Sequence, residues 1–153
     1  MNIEDKLNDM GLKLPEPLSP IGNYVGAVQT GNLLFLSGHG PRRGSEPLLT
    51  GKIGRDLTIE QGYDAAKETI LNCLSTVKRE LGSLDRVKRI VKLFGMVNCT
   101  SEFTEHPKVI NGASDLLVKL YGENGRHARA AVGMQSLPMN IPVEIELIIE
   151  VDK

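Results

Sequence analysis

Tryptophan is absent from this sequence, and aromatic residues together make up only 4% of its 153 residues. The core must therefore be built from aliphatic side chains. Hydrophobic residues account for 41% and charged residues for 24%, a balance that is typical of one globular domain and excludes a disordered chain. Long apolar runs are also missing. Because none approaches the ~20 residues that a membrane-spanning helix needs, we expect no membrane partner.

Cysteine is rare, and its spacing excludes the common zinc motifs. The two cysteines, Cys73 and Cys99, show neither CxxC nor CxxH spacing, and we expect no metal and no cofactor. Cys73 falls within a helical pattern and is interpreted as a small core residue. Because the N-terminus lacks the apolar stretch of a signal peptide, we expect a cytoplasmic protein.

A surplus of positive charge is missing as well. The formal net charge is −1, whereas a dedicated nucleic-acid-binding protein needs excess lysine and arginine to neutralise phosphates. The basic residues between positions 42 and 55 are interleaved with Glu46 and Asp56, which is typical of a solvated loop. We therefore expect no nucleic-acid partner.

Helical periodicity is clearest in residues 58–82, where apolar side chains recur every three or four positions. Either Asp56 or Thr58 could cap the start of this helix, and Gly82 could end it. A shorter amphipathic pattern predicts another helix within residues 1–13. The prolines that follow this short helix force an extended connector, because proline donates no backbone hydrogen bond.

Strands and one more helix account for most of the remaining sequence. The strands are predicted over residues 24–29, 33–37, 86–98, 127–135 and 142–151, and the helix over residues 101–121. Ser101 is the candidate cap of this helix. Residues 39–57 are rich in glycine, proline and charge, and they are predicted to form a long loop of the kind that often serves as a lid. The order β-β-α-β-α-β-β predicts an α+β sandwich, with two helices packed on one face of a mixed sheet.

The last predicted strand has one apolar face and one acidic face. Its apolar positions would pack on the helices, while Glu144, Glu146 and Glu150 lie on the other side. These carboxylates could simply face solvent, or some could face an interface or a pocket, where they need partners. The open sheet face needs a cover, and few residues are left to provide one, so another subunit is the natural candidate.

Several short motifs occur in a fixed order along the chain. They are Gly22-Asn23-Tyr24-Val25, Leu36-Ser37-Gly38-His39-Gly40-Pro41, Asn111, His127-Ala128-Arg129-Ala130-Ala131-Val132, Leu137-Pro138 and Val143-Glu144-Ile145-Glu146. Together they resemble the pattern of the Rid/YjgF family. The resemblance assigns residues 20–153 to a single domain and leaves residues 1–19 as an N-terminal extension, made of the short helix and the proline-rich connector.

The resemblance implies a chorismate-mutase-like fold and a homotrimer with clefts between its subunits. It also implies hydrolysis of reactive 2-imino or 2-enamino acids, in which water attacks the imine carbon, ammonia leaves and a 2-keto acid results. The expected ligand is therefore a small 2-keto or 2-imino carboxylic acid. Older descriptions of the family also use the names endoribonuclease L-PSP and translation inhibitor.

Arg129 and Glu144 carry the chemistry that the resemblance implies. A planar guanidinium can hold a carboxylate with two parallel hydrogen bonds, and Arg129 is the expected clamp; its other interpretation is a structural salt bridge to a strand glutamate. Glu144 is the expected catalytic residue, since it could orient the attacking water or pass a proton. Alternatively, Glu144 could neutralise a neighbouring lysine or arginine across the interface.

The remaining candidates would bind substrate. Tyr24 could close one wall of the pocket, while Ser37 and Gly38 would lie at a strand end where the backbone can approach a ligand. Asn111 lies on the second helix, and it could also be an ordinary surface residue. The last two candidates are His39, which is expected at the rim of the pocket or in a loop, and Ala131.

The sequence departs from the family pattern inside the expected pocket. Ala131 stands where many imine-hydrolysing members have cysteine, Ala130 replaces a common serine, and His127 replaces the usual proline. These changes keep the carboxylate-binding arginine and leave the choice of substrate open. Two other interpretations therefore stay open: a non-catalytic module that binds small carboxylates or a partner protein, and an RNA-cleaving protein, against which the charge balance counts.

Overall fold

The computed structural model describes residues 1–152 of the chain. The helices are α1 (Ile3–Asp9), α2 (Ile59–Leu81) and α3 (His106–Tyr121), and the strands are β1 (Ala27–Thr30), β2 (Leu33–Leu36), β3 (Arg42–Arg43), β4 (Glu46–Pro47), β5 (Val87–Asn98), β6 (Ala128–Met134) and β7 (Val143–Val151). Among these described residues, no helix combines the length and the apolar character needed to cross a membrane.

Five strands form one mixed sheet in the order β1-β2-β7-β5-β6. β5 and β6 run parallel, and the neighbouring pairs in the rest of the sheet are antiparallel. Both α2 and α3 pack on one face, which confirms the predicted α+β sandwich and its order of main elements. β1 and β6 are the two edge strands, so each has one side without a hydrogen-bonded neighbour in the sheet.

The bounds of α2 follow from its capping residues, as predicted. Thr58 accepts a hydrogen bond from the backbone N–H of Gln61, and the side chain of Gln61 accepts one from the backbone N–H of Thr58. This reciprocal pair satisfies two N–H groups that the first turn leaves free. At the other end, Gly82 adopts the left-handed conformation with φ of 84°, which glycine tolerates best.

The predicted start of α3 is wrong. Ser101 does not cap the helix; its hydroxyl donates to the carboxylate of Glu102 instead. The helix begins at His106, and Pro107 occupies its first turn. Proline is tolerated there because its missing N–H would have had no partner within the helix.

The loop at residues 39–57 has more structure than the sequence predicts. Strands β3 and β4 form a two-stranded ribbon within it. Farther along, Ile53 is completely buried and bridges to Cys99. The side chain of Asn98, also fully buried, donates a hydrogen bond to the carbonyl oxygen of Gly51. The second half of this segment is therefore fixed to the end of β5.

The core lies between the sheet and the two long helices. The alternation predicted for β7 is confirmed, because the apolar side chains of its helix-facing side are buried, while Ile148 and the three glutamates lie on the other face. Gly95 marks a close approach in β5: a Cβ atom at this position would lie 2.7 Å from the side chain of Ile110 on α3. Cys73 is completely buried, as predicted.

The N-terminal helix packs against the same core. Ile3 and Leu7 of α1 are buried in its hydrophobic cluster. The connector that follows is tied to α2, since the hydroxyl of Ser75 donates to the carbonyl oxygen of Pro15 at 2.7 Å. These contacts place residues 1–18 along the helical layer of the fold.

Candidate functional site

Four of the predicted site residues line one surface cavity of about 410 Å³. They are Tyr24, Ser37, Gly38 and Glu144. Ser37 and Gly38 directly follow β2, and Glu144 lies near the start of β7, so the sheet brings together segments that are a hundred residues apart. Tyr24 precedes β1 and is 48% exposed, so its ring forms a solvent-accessible wall of the cavity.

Gly38 lies directly against the carboxylate of Glu144. A Cβ atom at position 38 would lie 2.5 Å from Oε2 of Glu144, so only glycine fits here without moving that carboxylate. Glu144 is half-buried. Its desolvation, and secondly the negative charge of Glu146, raise the pKa of its carboxyl. Glu144 can therefore hold a proton at a higher pH than an ordinary glutamate.

His39 does not line this cavity; it lines a much smaller one that shares Tyr24, Ser37 and Gly38 with it. It is only 5% exposed, and both ring nitrogens have partners: Nδ1 lies 2.6 Å from the carbonyl oxygen of Ser37, and Nε2 lies 2.8 Å from the hydroxyl of Thr76 on α2. Burial is the main cause that lowers the pKa of His39. The neutral ring with Nδ1–H donating to Ser37 fits this pattern. Its role is to hold the Ser37–Gly38 segment.

One helical turn before Thr76, another buried polar side chain of α2 holds the residues that follow His39 in the same way. Asn72 is fully buried and donates from Nδ2 to the carbonyl oxygens of Gly40 and Arg42, both at 2.8 Å. Farther toward the start of the helix, Arg43 forms an ion pair with Glu68. Buried polar groups with good partners fix a segment in one conformation. Sequence reasoning did not identify Asn72 or Thr76, because their positions interrupt an otherwise apolar helical face.

Arg129 and Asn111 form a second group, at the edge strand β6. Nη1 of Arg129 donates to Oδ1 of Asn111 at 2.8 Å and to the hydroxyl of Ser114 at 3.1 Å. Both partners are neutral side chains on α3. Within residues 1–152, Arg129 has no salt bridge to a carboxylate, so its other predicted role as a structural ion pair is not seen in the single chain.

Ser114 and His127 extend this group. His127 was expected in the pocket only as a departure from the family pattern, without a role, and Ser114 was not predicted. Nε2 of His127 lies 2.9 Å from the hydroxyl of Ser114, and Nδ1 lies 2.7 Å from the carbonyl oxygen of Gly125. With Nδ1–H donating to Gly125, the chain of hydrogen bonds runs from Arg129 to Ser114 to neutral His127. Desolvation is the main cause that lowers the pKa of His127; the charge of Arg129 also acts in this direction.

The spacing of these residues contains a signal that could have revealed the group. His127 and Arg129 are two residues apart, so in an extended segment their side chains point the same way. Asn111 and Ser114 are three apart on a helix and therefore share a face. Ala131 follows on the same side of β6 and is partly buried against the core.

The two groups lie on opposite faces of the sheet in one chain. Arg129 is in register with Leu93, whereas Glu144 is in register with Met96. Leu93 and Met96 are three residues apart on β5, and side chains at odd spacings on a strand point to opposite faces. One protomer therefore presents Arg129 at one place and the Glu144 cavity at another, with strand β5 between them.

Comparison with known proteins places the chain in a family. Residues 4–151 match the family model described as "YjgF/chorismate_mutase-like, putative endoribonuclease". Protein TCP17 of Trypanosoma cruzi is 43% identical over 147 residues, which cover 95% of this chain and 92% of that protein. A 2-iminobutanoate/2-iminopropanoate deaminase of Dermatophagoides farinae is 28% identical over 142 residues, which cover 92% of this chain and 95% of that protein.

A solved structure gives the same result for the fold. The protein Atu1372 of Agrobacterium tumefaciens, whose function is described as unknown, superposes with a TM-score of 0.92 and is 44% identical, covering 98% of this chain and 92% of that one. The family model spans nearly the whole chain. The chain therefore belongs to the YjgF/chorismate mutase-like family.

Proposed function

We propose that this protein hydrolyses reactive 2-imino or 2-enamino acids to 2-keto acids and ammonia, in a pocket completed by two protomers of a cytoplasmic homotrimer. The observation that carries this proposal is the state of Arg129. Its guanidinium is oriented by two neutral side chains and has no carboxylate partner among residues 1–152. A half-buried cation held in this way is suited to bind the carboxylate of a ligand.

The reaction needs little more than positioning and modest proton transfer. A 2-imino acid carries its carboxylate next to the reacting C=N bond, so a guanidinium that binds the carboxylate also fixes the imine carbon. Nη1 of Arg129 is engaged by Asn111 and Ser114, and this leaves Nη2 and Nε to face the ligand. Water then attacks the imine carbon, and the C–N bond breaks as ammonia leaves.

Glu144 is the group suited to handle the water and its proton. As a carboxylate it orients the attacking water and accepts a proton from it, and it then donates that proton to the leaving nitrogen. Its raised pKa brings the carboxyl closer to the pH at which both steps are efficient. Gly38 exposes this carboxylate to the cavity, and Ser37 and Tyr24 form the walls around it.

The pocket needs a second protomer because Arg129 and Glu144 are on opposite faces of one chain. Arg129 belongs to the edge strand β6, where a neighbouring chain can approach. The open sheet face is also partly apolar: Val28, Phe35 and Ile148 are aligned across β1, β2 and β7, and Phe35 is 39% exposed. Covering this face with a second copy would bury it, and three copies follow the pattern that the family resemblance implies.

Ala131 supports one alternative, a module that binds small carboxylates without turning them over. A methyl group at this position cannot transfer protons, whereas many imine-hydrolysing members have cysteine there. This alternative shares the Arg129 clamp. Catalysis by Glu144 separates the two functions, because a binding module does not need it.

The direct assay measures interception of 2-aminoacrylate. A pyridoxal-phosphate-dependent serine/threonine dehydratase generates the compound, semicarbazide traps what escapes hydrolysis, and an active protein lowers the amount of trapped product. We expect Arg129→Ala to lose at least about 100-fold in kcat/KM, equivalent to about 3 kcal/mol. Arg126→Ala is the matched control, because Arg126 is exposed and ion-paired with Glu123 in the preceding turn. An inactive wild type would favour the binding module.

A complementation experiment tests whether the pocket is shared. Arg129→Ala and Glu144→Gln proteins, each inactive alone, are unfolded together and refolded as mixed oligomers. If each site takes Arg129 from one chain and Glu144 from another, about a quarter of the sites in a random mixture contain both intact residues. Activity should therefore return to roughly that fraction of wild type. No recovery in oligomers shown to be mixed would contradict a shared pocket.

A further inference from the structure

A larger cavity, of about 920 Å³, lies at the other end of β6 from Arg129. Its volume is in the range of small-molecule sites. Gly133 lies on this cavity four residues beyond Arg129, which places it about 13 Å farther along the strand. Cys99, His106 and Lys52 also line the cavity, and none of them belongs to the site proposed above.

Cys99 and His106 form a thiol–imidazole pair at the cavity wall. Sγ of Cys99 lies 3.5 Å from Nε2 of His106. The ring of His106 is held edge-on against Phe103, with centroids 5.4 Å apart. Cys99 is 7% exposed, and burial raises the pKa of its thiol, while the charge of Lys52 acts in the opposite direction. At rest the sulfur is therefore a thiol that needs a base, and the adjacent imidazole is one.

Gly133 provides the space that the pair occupies. A Cβ atom at this position would lie 2.5 Å from Nε2 of His106 and 2.9 Å from Sγ of Cys99. Any side chain here would have to displace one of the two groups. The pair thus depends on a glycine in the edge strand, opposite the first turn of α3.

Lys52 supplies a fixed positive charge beside the thiol. Its Nζ donates to Oδ1 of Asn98 at 2.9 Å and to the carbonyl oxygen of Gln135. Asn98 is fully buried, so a side chain in the protein interior holds the ammonium group in place. Two of its three N–H groups are used in this way, and the third is available to an anion. The other charged residues on the cavity are Glu102 and Arg55, and Arg55 is paired with Asp56.

We propose that Cys99, His106 and Lys52 form a second reactive site, which captures small electrophiles that carry a carboxylate, specifically α,β-unsaturated carbonyl compounds. Lys52 binds the carboxylate. The sulfur of Cys99 forms a bond to the β-carbon of the alkene, and the C=C π electrons move to the carbonyl as an enolate. The thiol proton passes to Nε2 of His106 and from there to the α-carbon. All atoms are retained in the adduct, and the step uses no oxidant or reductant.

The test compares two maleimides that differ in one carboxylate, 3-maleimidopropionate and N-ethylmaleimide. Rates of adduct formation at Cys99 are measured by mass spectrometry of the full-length protein and its peptides, and they are divided by the rates for N-acetylcysteine. We expect 3-maleimidopropionate to react with Cys99 at least about tenfold faster than N-ethylmaleimide. Lys52→Met should remove this preference, and Arg55→Met should change it less than about twofold, because Arg55 is already paired with Asp56.

His106→Gln tests the proton transfer separately. It should slow both maleimides alike, by about tenfold or more, because the amide is not a base. Cys73→Ala is the control for the other thiol and should change none of these rates, since Cys73 is completely buried. If Lys52→Met does not fold, a protection experiment on wild-type protein takes its place. Succinate should slow adduct formation at Cys99, and neutral succinamide should not. Equal normalised rates for the two maleimides, or a His106→Gln protein that reacts like wild type, would overturn the proposal.

Discussion

The missing side chain of Gly38 is what allows the Glu144 carboxylate to lie where it does, because a Cβ atom at position 38 would lie 2.5 Å from its Oε2. The contact joins the end of β2 to the start of β7, within the sheet. Both residues line the cavity that includes Tyr24 and Ser37. The position of the proposed catalytic carboxylate therefore depends on a glycine more than a hundred residues earlier in the sequence.

A double-mutant cycle tests this dependence. Gly38→Ala should lower kcat by at least about tenfold and lower the free energy of unfolding by about 1–3 kcal/mol, the usual range for overpacking. In a Glu144→Ala background the added methyl group has room, and the same substitution should cost less than about 0.5 kcal/mol. Chemical denaturation of the four proteins gives the coupling energy. A coupling near zero would mean that another neighbour opposes the methyl group.

Glu144→Gln should raise the stability of the protein at neutral pH and lower its activity. The folded-state pKa of Glu144 is raised, by desolvation first and by Glu146 second, so the folded protein favours the protonated carboxyl. This contribution is fully present at acidic pH and is lost as the pH rises through the folded-state pKa. At neutral pH the glutamine variant should therefore be more stable than wild type, by an amount that solvent screening of the half-buried carboxyl reduces, while kcat falls by at least about 100-fold.

The pH dependence gives the check on this prediction. The gain in stability should disappear below the ordinary pKa of glutamate, where wild type is protonated in both states. Glu150→Gln is the matched control on the same face of β7; it lies far from the cavity and should leave kcat within about twofold of wild type. A Glu144→Gln protein that is less stable at neutral pH would show that the carboxylate forms a favourable ion pair in the assembled protein.

Much of the fold could be predicted because its elements have clear periodicity. The apolar alternation of β7 and the stripe of α2 repeat often enough to set both the type and the inward face of each element. The ribbon of Arg42–Arg43 and Glu46–Pro47 has two residues in each strand, too few for any period to appear. The false cap at Ser101 has another cause: serine is a good helix cap in general, and the choice between Ser101 and the turn before Pro107 depends on packing.

The candidate site was predicted residue by residue, but its arrangement was not. Arg129 and Glu144 were expected around one pocket, and only the register of β6 and β7 against β5 reveals that they face opposite ways. His39 was placed by its motif, whereas its direction is set by Thr76 on a helix far along the chain. Ser114 enters the site because α3 packs on β6. Such contacts join distant segments, and no local pattern encodes them.

Ser114→Ala should weaken ligand binding more than turnover. The hydroxyl accepts from Arg129 at 3.1 Å and lies 2.9 Å from Nε2 of His127, so its removal leaves the guanidinium held by Asn111 alone. Loss of one hydrogen bond of this kind corresponds to about 1 kcal/mol, or roughly a fivefold rise in KM. Steady-state kinetics and calorimetric titration with pyruvate provide the measurement. Ser101→Ala, on an exposed loop, is the control and should change neither quantity.

His127 should make this group sensitive to acid. Its folded-state pKa is lowered, chiefly by desolvation, so the unfolded chain takes up the proton at a higher pH than the folded chain. Stability should therefore fall as the pH drops below the ordinary pKa of histidine, and the fall should end below the lowered folded-state pKa of His127. Burial lowers the folded-state pKa of His39 too, so His39 adds to the loss of stability in acid. His127→Asn should make the free energy of unfolding depend less on pH, as measured by denaturant titrations across the pH range. The same pH dependence in the variant and in wild type would mean that His127 is not involved.

Thr58→Ala should destabilise the protein without affecting the site. It removes one half of the capping box of α2, which corresponds to about 1 kcal/mol and to a fall in Tm of about 2–4 °C for a chain of this size. Thermal unfolding followed by circular dichroism measures the change. Thr50→Ala, on the exposed surface of the preceding loop, should stay within about 0.5 kcal/mol of wild type. Equal effects of the two substitutions would mean that the cap adds nothing to stability.

Phe35→Glu tests the proposed assembly through the open face of the sheet. Phe35 is aligned with Val28 and Ile148, and a second copy covering this row would have to bury the new carboxylate without a partner, at a cost of several kcal/mol. We expect light scattering to show a single chain, with unchanged circular dichroism and no imine hydrolysis, because Arg129 and Glu144 can no longer meet. Met10→Glu, at the similarly exposed end of α1, should keep both assembly and activity. An active oligomer of Phe35→Glu would place the interface elsewhere.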